Sequence, residues 1–293
     1  MPPRPRGVLV MAYGTPATPD DIETYYTHVR RGRPPAPEQL AELKGRYAAI
    51  GGTSPLLERT RAQAAGLSAA LGDGWRVELG MKHAPPFIED GMQALAAAGV
   101  EEGRIVGLVL APHYSRLSVG EYAARATGAR VVESWHLEAG YVELVARFVS
   151  EVATPASGTE VVFTAHSLPS RILAEGDPYP DQLRETAAAV AERAGVERWS
   201  VGWQSAGRTP EPWIGPDILD VLRDRAAAGD VERVVVCPAG FVSDHLEVLY
   251  DLDVEAAALA AELGLGFART RMPNDDPRFC ATLAEVVRRH AAA

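Results

Sequence analysis

Cysteine is scarce: the 293 residues hold two, Cys237 and Cys280. They form no CxxC motif, and two thiolates are too few for an iron–sulfur cluster or a four-cysteine zinc site. Buried thiols in a reducing cytoplasm are expected. No run approaches the roughly 18 apolar residues that a membrane-spanning helix needs. The first residues, MPPRPRGVLVMAYG, set basic side chains before an apolar run of about six residues, with no small-residue cleavage site. That reads as a first strand and not as a signal peptide. GxGxxG and P-loop motifs are missing, which counts against a nucleotide cofactor, and GTSPL is not a nucleophile elbow. Positive charge is in deficit: 29 Lys and Arg face 39 Asp and Glu, a net −10. Nucleic acid and anionic membrane surfaces are therefore excluded as main partners, and an anionic substrate would need a local basic patch.

What is present is ordinary globular material, 47% apolar and 23% charged, in a chain long enough for two domains. Apolar runs and helical patterns alternate. Strands are expected over residues 7–12, 75–80, 104–110 and 131–135, then over 161–164, 199–202, 231–237 and 264–268. Helices are expected over 19–29, 37–49, 56–71, 85–98 and 119–126, then over 181–194, 215–228, from 243 onward, and 277–290. The second series echoes the first. VLVMAYGTP (8–16) aligns with VVFTAHSLP (161–169), which sets Tyr13 on His166, and GMKHAPPFIED (80–90) resembles GWQSAGRTPEPWIGPD (202–217). The pattern predicts an α/β protein of two Rossmann-like domains, residues 1–140 and 141–293, each a parallel sheet flanked by helices. In such sheets ligands bind beyond the carboxyl ends of the strands. Tyr13, Lys82, His83, His113, His166, Ser205 and residues 238–247 all follow expected strands. Two domains facing each other would close a cleft between Tyr13 and His166.

Residues 236–255, VCPAGFVSDHLEVLYDLDVE, leave a strand and open a helix bearing Glu247, Asp251 and Glu255 at i, i+4 and i+8. Carboxylates stacked on one helix face repel unless a cation is near, which suggests a metal path. Alternatively, Asp244 and Glu247 have capping-box spacing and serve only the helix start. His166 paired with Glu247 would make an imidazole–carboxylate site with open positions, suited to Fe(II), Co(II) or Zn(II) in transit. Arg30 and Arg31 follow a helix, where a solvated cation at the C-terminal dipole is one reading and a bidentate carboxylate contact the other. Ser54 reads either as turn chemistry before a helix or as a ligand contact.

Taken together, MAYGTP, YYTHVRRGR, GRYAAIGGTSPL, MKHAPPFIED, LAPHYS, TAHSLP, GDPYPDQLRET, GWQSAG, PWIGPD and DHLEVLYD resemble the ferrochelatases, from about residue 8 to residue 277. Within that family the similarity is to the soluble bacterial kind acting on coproporphyrin III. The resemblance implies the chelatase fold, two Rossmann-like domains around a porphyrin cleft, and insertion of Fe(II) to give coproheme in haem biosynthesis. By motif it makes His166 and Glu247 the catalytic, metal-receiving pair and Tyr13 the axial ligand on the other face. Asp251 and Glu255 continue the metal path. Arg30, Arg31, Arg46, Tyr26, Tyr47, Ser54 and Tyr122 match porphyrin-contacting positions, and Lys82, His83 and Ser205 line the same cleft. Four propionates explain basic residues at one rim of an acidic protein.

The resemblance also implies a cytoplasmic monomer. It would have no tightly bound cofactor, no iron–sulfur cluster, no stable membrane association and no nucleic-acid partner; its partners would be coproporphyrin III and ferrous iron. Residues 33–47 are proline-rich and polar where membrane-associated relatives carry an apolar lip. Three other readings compete: a protoporphyrin IX ferrochelatase, a sirohydrochlorin-type chelatase, and a non-catalytic haem carrier using Tyr13.

Overall fold

A computed structural model describes residues 5–153 and 158–292; the first four residues of the basic amino-terminal stretch lie outside them. Four strands, β1 (Arg6–Ala12), β2 (Trp75–Met81), β3 (Ile105–Val109) and β4 (Ala129–Val132), form one sheet in the order β2-β1-β3-β4. Another four, β5 (Thr159–His166), β6 (Trp199–Gln204), β7 (Arg233–Cys237) and β8 (Gly266–Arg269), form a second in the order β6-β5-β7-β8. Every pairing is parallel. Both sheets thus have one topology, as expected of an internal repeat. Even a local detail recurs: the Met81 N–H reaches back to the Pro86 carbonyl, and the Trp203 N–H to that of Pro216.

The strands read as unbroken apolar runs because helices cover both faces. Val8, Leu9 and Val234 to Val236 have essentially no solvent exposure. The helices are α1 (Ile22–Val29), α2 (Pro37–Ala49), α3 (Leu56–Leu71), α4 (Ile88–Ala97), α5 (Val119–Arg125), α6 (Ala139–Val152), α7 (Arg171–Ala174), α8 (Tyr179–Ala194), α9 (Ile218–Ala228), α10 (Ala257–Glu262) and α11 (Pro277–Ala292). Among the described residues no helix is long and apolar enough to cross a membrane.

Three local expectations need correction. Helix α6 was passed over, although Tyr141, Leu144, Val145, Phe148 and Val149 are buried at helical spacing. The fourth strand ends at Val132, and Trp135 instead turns inward to donate its indole N–H to the Val109 carbonyl, 3.0 Å away. The helix expected from Asp244 is not capped by it: the Asp244 carboxylate takes Arg269 at 3.1 Å and the Asn274 amide at 2.7 Å.

One apolar core spans both sheets. Val8, Val10 and Leu67 of the first half share it with Phe163 and Val235 of the second, through Tyr141 and Phe148 of α6 and Phe279 and Leu283 of α11. Between residues 140 and 141, where the sequence was divided, the chain is in the first turn of α6. Shared core and shared helices hold the carboxyl ends of the two sheets in a fixed relation.

Candidate active site

In each sheet the order turns back beside the central strand, so the crevices between β1 and β3 and between β5 and β7 are the ligand-binding switch points. Tyr13 follows β1 directly, and His166 ends β5.

The His166 Nδ1–H donates to the Ser167 carbonyl at 2.5 Å, which leaves Nε2 pointing at Glu247, 3.5 Å from Oε1. The other Glu247 oxygen is 3.5 Å from His245 Nε2. A second residue steadies the histidine: the Tyr179 hydroxyl donates to the His166 carbonyl at 3.0 Å. Burial pulls the imidazole pKa down, but Glu247, the Ser167 carbonyl and Asp251 outweigh it, and the net shift is upward. For Glu247, burial pushes the pKa up, while His166 and His245 more than offset it and leave the carboxyl well below its usual range. The two shifts run in opposite directions, and each favours the charged form of its group beside the other.

Gly240 makes this geometry possible. Its N–H bonds the Thr164 carbonyl at 2.9 Å, and a Cβ there would lie 2.3 Å from the Ala165 Cβ and 2.7 Å from its Cα. Nothing in that contact can swing away. Gly240→Ala is expected to cost about 1–3 kcal/mol of stability and to displace the end of β5; urea unfolding alongside a metal-insertion assay checks both.

Glu247 leads into a stretch, Val248–Ala256, wound as a π-helix; at its end the Ala257 N–H reaches the Leu252 carbonyl five residues back. Such widened turns are frequent at functional sites. Asp251 is buried in it, whereas Glu255 is exposed. The row of three carboxylates therefore runs from the cleft to the surface. Asp251 is held by the Arg46 guanidinium and by the Ser205 hydroxyl, which donates to it. Burial raises the Asp251 pKa to about 6; Arg46 and Ser205 pull it down, and Glu247 and Glu255 push it up. Ser205 reaches its partner from a left-handed backbone conformation, φ 61°. Arg46 also lies 4.8 Å from the Tyr250 ring centroid. The pair links α2 of the first half to the second half, and Tyr47 packs against Leu246 beside it.

Across the cleft, Lys82 and His83 extend the ladder of β1: the Lys82 N–H bonds the Ala12 carbonyl and the His83 N–H that of Tyr13, both at 2.9 Å. The Lys82 ammonium pairs with Glu121 and sits 5.2 Å from the Tyr122 ring centroid and 5.9 Å from that of Tyr13. The Tyr13 phenol is held well above its ordinary pKa by desolvation and then by the charges of Glu247 and Glu121. Those two walls therefore share one electrostatic space. The Tyr47 hydroxyl is 3.2 Å from Thr15 Oγ1, and burial pushes its pKa up to about 12.

Other candidate residues are committed locally. Arg30 stacks over Tyr26 at 5.6 Å, and Arg31 lies 3.5 Å from Glu121. Ser54 accepts the Leu56 N–H at 3.3 Å, at the start of α3. His113 is buried and bonds Thr186 at 2.8 Å, away from the pair. His245, next to the carboxylate row in the chain, is legible as part of the metal path, whereas Tyr179 and Glu121 carry no local signal as site partners.

Two facing parallel sheets, with an imidazole–carboxylate pair on one wall and a phenol on the other, define a metal chelatase. A ferrochelatase family model matches residues 5–291. The coproporphyrin III ferrochelatase of Anoxybacillus flavithermus is 47% identical over 303 residues, 97% of this chain and 96% of its own. That of Bacillus pumilus is 46% identical over 300 residues, 96% of each. The chain belongs to the ferrochelatase family. Its fold is shared by SirB from Bacillus subtilis, solved with Fe3+, at a TM-score of 0.54 and 14% identity over 98% of this chain and 96% of that one.

Proposed function

We propose that this enzyme inserts Fe(II) into coproporphyrin III, giving Fe-coproporphyrin III and two protons. The observation that carries the reading is near-full-length similarity to relatives of that name, joined to the His166–Glu247 pair facing Tyr13. Insertion needs a metal stripped of water and two pyrrole N–H groups deprotonated. His166 Nε2 is free of backbone bonding, so it can take a proton or hold the ion once its own proton has left. Glu247 receives the cation by charge and stabilises the protonated imidazole in turn. Asp251 and Glu255 mark a route from solvent for hydrated iron inward and protons outward. Arg30, Arg31 and Arg46 supply guanidinium groups for the propionates. Arg46 must then divide its donors between Asp251 and the porphyrin, which ties the two substrate sites together.

The chain supplies both walls of the cleft, so a monomer suffices, and no resident cofactor enters the scheme. The two thiols are buried in different elements, β7 and α11, in keeping with a cytoplasmic enzyme. Anaerobic incubation with Fe(II) and each porphyrin tests the reading: coproporphyrin III should be metallated faster than protoporphyrin IX. Faster turnover of protoporphyrin IX would overturn the substrate assignment, and activity only on a sirohydrochlorin-type ring would overturn the function.

Tyr13 is 43% exposed, the right disposition for a phenol offered to product iron. Tyr13→Phe is expected to shift the absorption spectrum of bound ferric coproporphyrin and to speed its release. An unchanged spectrum would remove the axial-ligand role.

A further inference from the structure

His28, near the end of α1, belongs to none of the contacts so far described. Its Nδ1 lies 3.1 Å from the Nδ1 of His83. The ring centroids are 5.3 Å apart, so both nitrogens lie close to the line joining the rings. The in-plane directions of the two nitrogens therefore meet, one nitrogen carrying the proton and the other the accepting lone pair. That is the geometry of one N–H···N hydrogen bond, not of two ligands converging on a common ion. His28 is itself held by stacking on Phe87, 5.3 Å away with the rings 27° apart. His83 in turn packs on Tyr13, with centroids 4.6 Å apart and planes at 54°, and among the described residues it is the only ring in such contact with Tyr13.

We infer that His28 is a positioning residue: through its hydrogen bond to His83 it fixes the ring that sets the orientation of Tyr13 toward the metal face of the porphyrin. The physical reason is that Tyr13 is partly exposed, so its ring orientation depends on the few side chains that touch it. Its backbone is anchored by the His83 N–H, and among the described residues its aromatic and cationic neighbours are the His83 imidazole and the more distant Lys82 ammonium. An imidazole free to rotate would not define the phenol; one tied to α1 does. Because Arg30 and Arg31 follow on the same segment, the rim that meets the propionates and the phenol that meets the metal are mechanically joined.

The inference rests on Tyr13 as axial ligand, so the test carries Tyr13→Phe as a control. His28→Phe keeps a ring for Phe87 and removes the nitrogen; His28→Asn keeps a polar group near the Nδ1 position. With ferric coproporphyrin bound to the whole chain, His28→Phe is expected to shift the absorption bands in the direction of Tyr13→Phe. It should also speed product release by about threefold to tenfold, the range for loss of one hydrogen bond, while KM for Fe(II) stays as in the parent. His28→Asn should restore spectrum and release rate. If Tyr13→Phe shifts the spectrum and His28→Phe does not, the role of His28 is overturned and that of Tyr13 stands. If Tyr13→Phe itself changes nothing, the axial-ligand reading and this inference fall together. Equal effects of both His28 variants, with equally lowered melting temperatures, would reduce His28 to a structural residue.

Discussion

Glu247→Gln should abolish metal insertion while leaving porphyrin binding intact. Gln has nearly the same shape as Glu, so the packing where the π-helical stretch begins survives; what disappears is the charge. That charge is the main factor raising the His166 pKa against burial, and it is the group best placed to receive a cation beside the imidazole. Losing a positioned acid–base partner typically costs about 10²–10⁴-fold in rate, so kcat should fall by at least about 100-fold. The proposed porphyrin contacts lie mainly on the other wall and on α1 and α2, so fluorescence titration with coproporphyrin III should give an affinity within a few-fold of the parent. Retention of more than a tenth of the parental rate would show that Glu247 is not the group that receives the metal.

His166→Ala should be as damaging, and it separates an enzyme from a haem carrier. A carrier that uses Tyr13 would keep its role without the histidine, whereas a chelatase should lose metal insertion by about 10²–10⁴-fold and still bind ferric coproporphyrin. The parent's pH dependence follows from the same residue. An imidazolium can neither bind a metal ion nor accept a pyrrole proton, so activity should rise with pH as His166 loses its proton. The net shift is upward from an ordinary value of 6.5, so the rising limb should lie above that value. In Glu247→Gln the largest upward contribution is gone, and the titration of the His166 ring, followed by proton NMR, should move to lower pH. An unmoved titration would mean that the two side chains are not coupled.

Several parts of this arrangement were legible in the chain. Parallel strands buried on both faces read as continuous apolar runs, so GVLVMA (7–12), VVFT (161–164) and VVV (234–236) announced themselves. The alignment of VLVMAYGTP with VVFTAHSLP placed Tyr13 and His166 at corresponding strand ends, and the structure puts them there. The spacing of Glu247, Asp251 and Glu255 marked one side of a helix but not its π winding, which depends on hydrogen-bond choices that similar helical sequences leave open. The bond from Ser54 to Leu56 is local and matches the turn chemistry read from the sequence. Helix α6 carries a readable apolar period, Tyr141, Leu144, Val145, Phe148 and Val149.

Local order along the chain determined the two-sheet α/β architecture, the strand-end location of the functional groups and the types of donor available, because pleat, helix period and strand burial are short-range constraints. Partnership was decided only in three dimensions. Arg46 meets Asp251 across 205 positions, His28 meets His83 across 55, and Tyr179 steadies His166 across 13. No periodicity encodes such pairs. They exist because one shared core holds the two sheets with their carboxyl ends together, where distant parts of the chain come within reach of one another.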